Sequence, residues 1–216
     1  MTTENIELPK NTNSISCKLK NLIAAGVVLG GILIIGTRAY LGGQNGEDVK
    51  EKQYKLNRPA EWAVGIEKEG LLNFHKVSDD LYRGAQPTAE GIKQLKEMGI
   101  KTIVNLRSFN SDKGEIGNTE IGYEHIYMKA WHPEEKEIAI FLKTVTDKTK
   151  TPVFVHCQHG ADRTGLMCAI YRVAVCGWSK QAAADEMIYG GYGFHSVWEN
   201  IIDYFMNLNI ESFQNK

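Results

Sequence analysis

In the stretch VFVHCQHGADRTGLMCAIY, Val153 to Tyr171, a cysteine and an arginine stand six positions apart with a glycine between them, where an apolar run gives way to a helical one. Those residue types at that spacing suit one chemistry. A loop between a strand and a helix N-terminus gathers backbone N–H groups and the positive end of the helix dipole, so it attracts an anion. Gly160 allows a turn that a side chain would block. Arg163, at the helix start, offers a planar fork that matches phosphate oxygens in pairs. Gln158, His159, Gly160, Ala161, Asp162, Arg163 and Thr164 are therefore expected to hold a phosphate group over Cys157. Positive surroundings favour a thiolate at that position. Its attack on phosphorus would give a cysteinyl phosphate, which water then hydrolyses. Backbone amides and Arg163 would stabilise the developing charge, so the reading calls for no metal and no cofactor. Thr164 is expected to donate its hydroxyl to the Cys157 sulfur, and His156 to orient the loop rather than act as a base.

Such a loop needs a sheet beneath it and helices around it. Pro152–Cys157 and Lys101–Arg107 are apolar and β-branched and read as buried strands, while Tyr123–Ala130 alternates and reads as another. Phe74–Pro87 holds two short apolar pieces around a polar turn. Thr88 caps a helix with apolar positions Ile92, Leu95 and Met98, stopped at Gly99. Ser108–Gly122 is a polar, glycine-containing loop. Pro133 opens a helix with Glu134 and Glu135 in its first turn and Ile138, Phe141, Leu142 and Val145 on its apolar face. Thr164–Cys176 is apolar on nearly every side and reads as a central buried helix, ended by Gly177. Ser179 caps the next helix, and a last one covers about Val197–Leu208. Strands alternating with helices imply an α/β fold, a mostly parallel central sheet flanked by helices on both faces.

The chain has 216 residues, 43% of them hydrophobic, and a net charge of -1, which suits one domain with an appendage. The near-neutral balance argues against the basic face that nucleic acid requires. Cys17, Cys157, Cys168 and Cys176 form no CxxC pair and no zinc-like spacing with the six histidines. Cys157 is left as the candidate nucleophile, with Cys168 and Cys176 as core residues. The appendage is N-terminal. Residues 1–20 are polar and end in Lys18 and Lys20. Residues 21–41 contain the uncharged run LIAAGVVLGGILIIG, Leu22 to Gly36, and a membrane span needs about 20 mostly apolar residues. This hydrophobic helix is expected to be an uncleaved single-pass anchor or a cleaved export signal, with a buried soluble helix as the third reading. The lysines before it, against Arg38 after it, would put the rest of the chain outside the cytoplasm. Residues 42–60 open with Gly42-Gly43-Gln44-Asn45-Gly46 and read as a flexible linker, and 61–216 as the folded domain.

The motif HCQHGADRTG resembles the HCxxGxxR(S/T)G signature of the cysteine-dependent protein tyrosine and dual-specificity phosphatases, with the strand before it and the helix after it in place. The resemblance covers roughly Phe74–Phe194, and DDLYRGAQPTAEGIKQLKEMGIKTIVNLR is similar to the N-terminal half of bacterial and fungal dual-specificity-like members. It implies a protein tyrosine phosphatase-like fold, with Cys157 as nucleophile and Arg163 as phosphate clamp. The chain departs from the pattern in one respect. Such enzymes usually take their general acid from an aspartate about 30 residues before the cysteine, and here that region reads Ala130-Trp131-His132-Pro133-Glu134-Glu135. His132, Glu134 and Glu135 are candidates there, although a helix start explains both glutamates. Asp162, in a CxxGxDRT arrangement similar to that of myotubularin-type lipid phosphatases, is placed ahead of His132. Arg83 and Arg107 lie at strand ends that could approach the site. The expected substrates are phosphotyrosine or mixed phosphoproteins. The alternatives are phosphoinositides or inositol phosphates and, in another class, a membrane-tethered phosphate-binding pseudoenzyme.

Overall fold

The computed structural model of the chain describes residues 44–213. Its strands are β1 (Val64–Gly65), β2 (His75–Lys76), β3 (Leu81–Gly84), β4 (Thr102–Asn105), β5 (Gly122–His125) and β6 (Val153–His156), in the spatial order β1-β2-β3-β6-β4-β5. Strands β3, β6, β4 and β5 run parallel, while β1 and β2 extend one edge antiparallel. Every residue of β4 and β6 is buried. A parallel strand covered on both faces has no solvent side, which is why these two read as continuous runs rather than as alternation. Both runs end in a polar residue, Asn105 and His156, which sit side by side.

The register puts Ile103 beside Phe154 and, one step along, Val104 beside Val155. Successive side chains of a strand point to opposite faces, so the two pairs belong to two cores. Ile103 and Phe154 pack with Ile92 and Leu95 of α2 (Ala89–Glu97) and Ile116 of α3 (Lys113–Ile116). Val104 and Val155 pack into the larger core, beneath α4 (Glu135–Thr146), α5 (Asp162–Ala174), α6 (Lys180–Tyr189), α7 (Glu199–Asn207) and a closing 3₁₀ turn at Ile210–Phe213. Helices thus cover both faces of the sheet. The helix starts follow local chemistry. Thr88 and Ser179 each accept a hydrogen bond from the third residue on, Gly91 and Ala182, at 3.2 Å. Glu134 and Glu137 close a reciprocal capping box on α4, so Glu134 is engaged in starting that helix.

Two expectations for the N-terminal part require correction. Gln44–Leu56 is not a loose linker but a helix, α1. It is rich in Glu, Gln and Lys, which favour helix, and an i,i+4 pair links Glu51 to Lys55 at 2.7 Å. It is seated on α6, where Asp185 accepts hydrogen bonds from Lys50 at 3.2 Å and Tyr54 at 2.9 Å, and the Tyr54 ring lies 4.7 Å from that of Trp62. The membrane anchor and the placement drawn from it are also corrected. No helix among the described residues is long and apolar enough to cross a membrane; α1 and α5 have 13 residues each, against about 20 for a span. The segment 21–41 lies outside the described residues.

Candidate active site

The loop from Cys157 to Ala161 joins the carboxyl end of β6 to the amino end of α5. Every carbonyl in it is held from outside the loop. The Cys157 oxygen lies 3.1 Å from His156 Nδ1. The Gln158 oxygen accepts from Gln86 N at 3.2 Å, that of His159 from Asn73 Nδ2 at 2.9 Å, and that of Gly160 from Arg83 Nη2 at 2.7 Å. The Ala161 oxygen accepts the first helical bond of α5, from Gly165 at 2.7 Å. In a planar trans peptide the C=O and the following N–H point in opposite directions. Carbonyls pulled outward therefore turn the next N–H groups inward, and none of the N–H groups from Gln158 to Thr164 has a hydrogen-bond partner among the described residues. No side chain caps α5 either, which leaves its positive end open on the same hollow. Gly160 has a φ of 71°, and a Cβ there would collide with the backbone of Gly84, so glycine is required on both counts.

Cys157 is buried at the foot of this loop. Arg163, half-buried, donates through Nη1 to the carbonyls of Leu106 and Met128, both at 3.3 Å. Those bonds fix the guanidinium plane and leave Nε and Nη2, the edge suited to a paired contact with an oxyanion. Thr164 is fully buried and its hydroxyl has no hydrogen-bond partner among the described residues. The expected bond to Cys157 is thus not formed here, and the hydroxyl is left as an uncommitted donor. Gln158 and His159 are exposed, while Ala161 is buried. Cys168 is a core residue whose thiol burial pushes up to about 11, so it is inert beside Cys157.

The support beneath the loop lies far off in sequence. His156 is buried with Nε2 at 2.7 Å from Asp112 Oδ2, and Gln86 Nε2 donates to Asp112 Oδ1 at 3.1 Å. Arg107 donates to the other end of the Gln86 amide. Arg107 is therefore tied into the supporting network, and so is Arg83, which is buried with its guanidinium 3.9 Å from the centre of the Tyr192 ring. Asp162 turns out of the hollow: its Oδ1 accepts from the His195 backbone N–H at 2.9 Å, and its Oδ2 lies 2.9 Å from His195 Nδ1. His132 is exposed; its backbone N–H donates to Lys129 at 3.2 Å, and none of its hydrogen bonds among the described residues reaches the loop. Asn73, Gln86, Asp112 and His195 are contributors that sequence reading missed. The Gly190-Gly191-Tyr192-Gly193 cluster before His195, with positive φ at Gly191 and Gly193, is the one local signal of a tight turn there, and it does not say what the turn meets.

Residues 60–195 match the model of the family described as DSP-PTPase phosphatase fused to NAD+ kinase. The chain is 33% identical over 137 residues to the dual specificity protein phosphatase TpbA of Pseudomonas aeruginosa, a match covering 63% of this chain and 62% of that protein, so it spans less than two thirds of that relative. Over 101 residues it is 31% identical to NAD kinase 2, chloroplastic, of Arabidopsis thaliana, covering 42% of this chain and 10% of the other. The crystal structure of P. aeruginosa TpbA superposes with a TM-score of 0.65 at 28% identity, over 73% of this chain and 97% of that one. The Siw14 catalytic core, at 19% identity, shares the fold with a TM-score of 0.60, over 69% of this chain and 92% of its own. The phosphate-loop geometry and the match over residues 60–195 lead to one assignment: the chain belongs to the cysteine-dependent tyrosine and dual-specificity phosphatase family, in its bacterial dual-specificity-like branch.

Proposed function

We propose that the domain hydrolyses phosphomonoesters through a cysteinyl-phosphate intermediate, with phosphotyrosine or mixed phosphoproteins as substrates. The observation that carries this reading is the set of outward-held carbonyls from Cys157 to Ala161, with N–H groups beside them that have no partner among the described residues. A phosphate seated there accepts hydrogen bonds from the loop amides, the start of α5 and the free edge of Arg163. Cys157 attacks phosphorus as the ester oxygen leaves, and water then displaces the sulfur. Preorganised donors of this kind act without reorganisation as charge develops. The choice of phosphotyrosine draws on TpbA, a structure of which holds a TpbA variant in complex with phosphotyrosine, at 28% identity, with a TM-score of 0.64 over 73% of this chain and 96% of that one. The loop also carries Gln158, His159 and Ala161 where lipid-directed relatives would place extra lysines.

The test is phosphate release from phosphotyrosine and phosphoserine peptides, phosphoinositides and inositol phosphates, with Cys157→Ser as the blank. Wild type is expected to act foremost on phosphotyrosine, and rapid quenching to trap a phosphoryl group on Cys157. Release dominated by inositol compounds moves the substrate to that class. Wild type indistinguishable from Cys157→Ser on every substrate overturns the reading and leaves a phosphate-binding module.

A further inference from the structure

Thiolate attack on an aryl phosphate expels an oxygen that needs a proton, and the water of the second step must lose one. Asp162 is not placed to do either directly. It is 8% exposed, and both its carboxylate oxygens are occupied by one residue, His195. That arrangement is a familiar one in another setting: a carboxylate that holds one ring nitrogen of an imidazole fixes its orientation and leaves the other nitrogen to exchange protons. His195 lies in the turn between α6 and α7. Its side chain is half exposed, and its Nε2 has no hydrogen-bond partner among the described residues. Its ring lies 5.8 Å from that of His159, inside the phosphate loop. The titratable groups facing it are Asp162 at the start of α5 and His159 in the loop.

We propose that His195 is the proton donor and acceptor of this site and that Asp162 is its positioning residue. The proposal rests on the phosphatase reading above. In the first step the S–P bond forms as the P–O bond to the leaving group breaks, and the His195 Nε2 proton passes to the departing oxygen. In the second, the oxygen of water bonds to phosphorus as the S–P bond breaks, and the proton of that water returns to Nε2. The sum is hydrolysis of the ester, with His195 and Cys157 restored. Asp162 is bonded at Nδ1 throughout and holds the ring beside the loop, its centre 5.8 Å from that of His159.

The experiment compares wild type, His195→Gln, Asp162→Asn and Cys157→Ser on phenyl phosphate and on 2,4-dinitrophenyl phosphate, whose leaving group departs without a proton. His195→Gln is expected to lose about 10²-fold in kcat/KM, which reports the first step alone, on phenyl phosphate, the usual contribution of a general acid, and only a fewfold on the dinitrophenyl ester. Asp162→Asn is expected to shift the limb of the pH–rate profile that His195→Gln abolishes. Phosphate binding by His195→Gln should stay as in wild type. Equal losses in kcat/KM on both esters, or an unchanged profile in His195→Gln while Cys157→Ser is inactive, overturn the proposal and leave the phosphatase reading standing. Wild type no faster than Cys157→Ser overturns both.

Discussion

Arg163 shows how a single side chain does two jobs through separate edges. Its Nη1 is held by the Leu106 and Met128 carbonyls, which lie beyond the carboxyl ends of β4 and β5, and its other edge is left for the oxyanion of the proposed reaction. Lysine has the charge but not the fork, and one ammonium cannot serve both sides. Arg163→Lys is therefore expected to weaken inorganic phosphate or vanadate binding and to lower kcat/KM by about 10²-fold, in line with the loss of one preorganised oxyanion donor. Titration calorimetry with vanadate and steady-state kinetics on one aryl phosphate check both halves. Retained binding with reduced rate would place the arginine on the leaving group instead.

At the scale of elements, the phosphate loop keeps its shape because neighbouring segments pull on its carbonyls. Gln86 follows β3, Asn73 precedes β2, and Arg83 reaches up from β3 itself. The Arg83 guanidinium is clamped between the Gly160 carbonyl and the Tyr192 ring. Arg83→Met keeps most of the apolar stem but removes the donor that holds that carbonyl among the described residues. It is expected to cost about 1–3 kcal/mol for a buried acceptor left unpaired and to lower kcat/KM by about 10²-fold through a misplaced loop. Thermal unfolding and kinetics on the same sample separate the two effects. A variant that loses stability with unchanged kcat/KM would mean that the loop holds its shape without this bond.

Across the whole molecule, a buried ion pair joins segments that the sheet does not. Arg172 of α5 donates to both oxygens of Glu186 in α6, at 2.6 and 2.8 Å, and to the carbonyls of Val77 and Glu61, each at 3.1 Å. Glu186 also accepts from the Ala63 N–H at 2.6 Å and the Tyr192 hydroxyl at 3.1 Å. Burial alone would raise its carboxyl, but Arg172, the Ala63 N–H and the charge of Arg83 hold it below the ordinary carboxylate range. Such a group adds stability above its unfolded pKa, and that stability is lost as pH falls through its lower folded pKa. The domain is thus expected to weaken in acid, below the ordinary glutamate range. Arg172→Met strands the carboxylate and is expected to cost about 3–5 kcal/mol. Chemical denaturation of Arg172→Met and of Arg172→Met with Glu186→Gln at neutral and acid pH tests this, since the double variant should recover part of the loss and show less acid dependence.

What the amino-acid sequence determined by itself is whatever depends on near neighbours. The Cys157–Arg163 loop is one contiguous segment, so its spacing was enough to bring the Cys157 thiol, the glycine turn and the Arg163 guanidinium into one loop. Thr88, Ser179 and Glu134 cap their helices by bonds spanning three residues, and Ile138, Phe141, Leu142 and Val145 share a buried face because helical periodicity is local. The helix at Gln44–Leu56 escaped because its glycine-rich, polar start resembles a linker, and its seat on Asp185 is remote. Only the tertiary structure decided where Asp112, His195 and Arg83 would go. Asp112 meets His156 across 44 residues, His195 meets Asp162 across 33, and Arg83 meets Gly160 across 77. No periodicity links such partners, because they are brought together by the order of strands in the sheet and by the packing of α5, α6 and α7 above it.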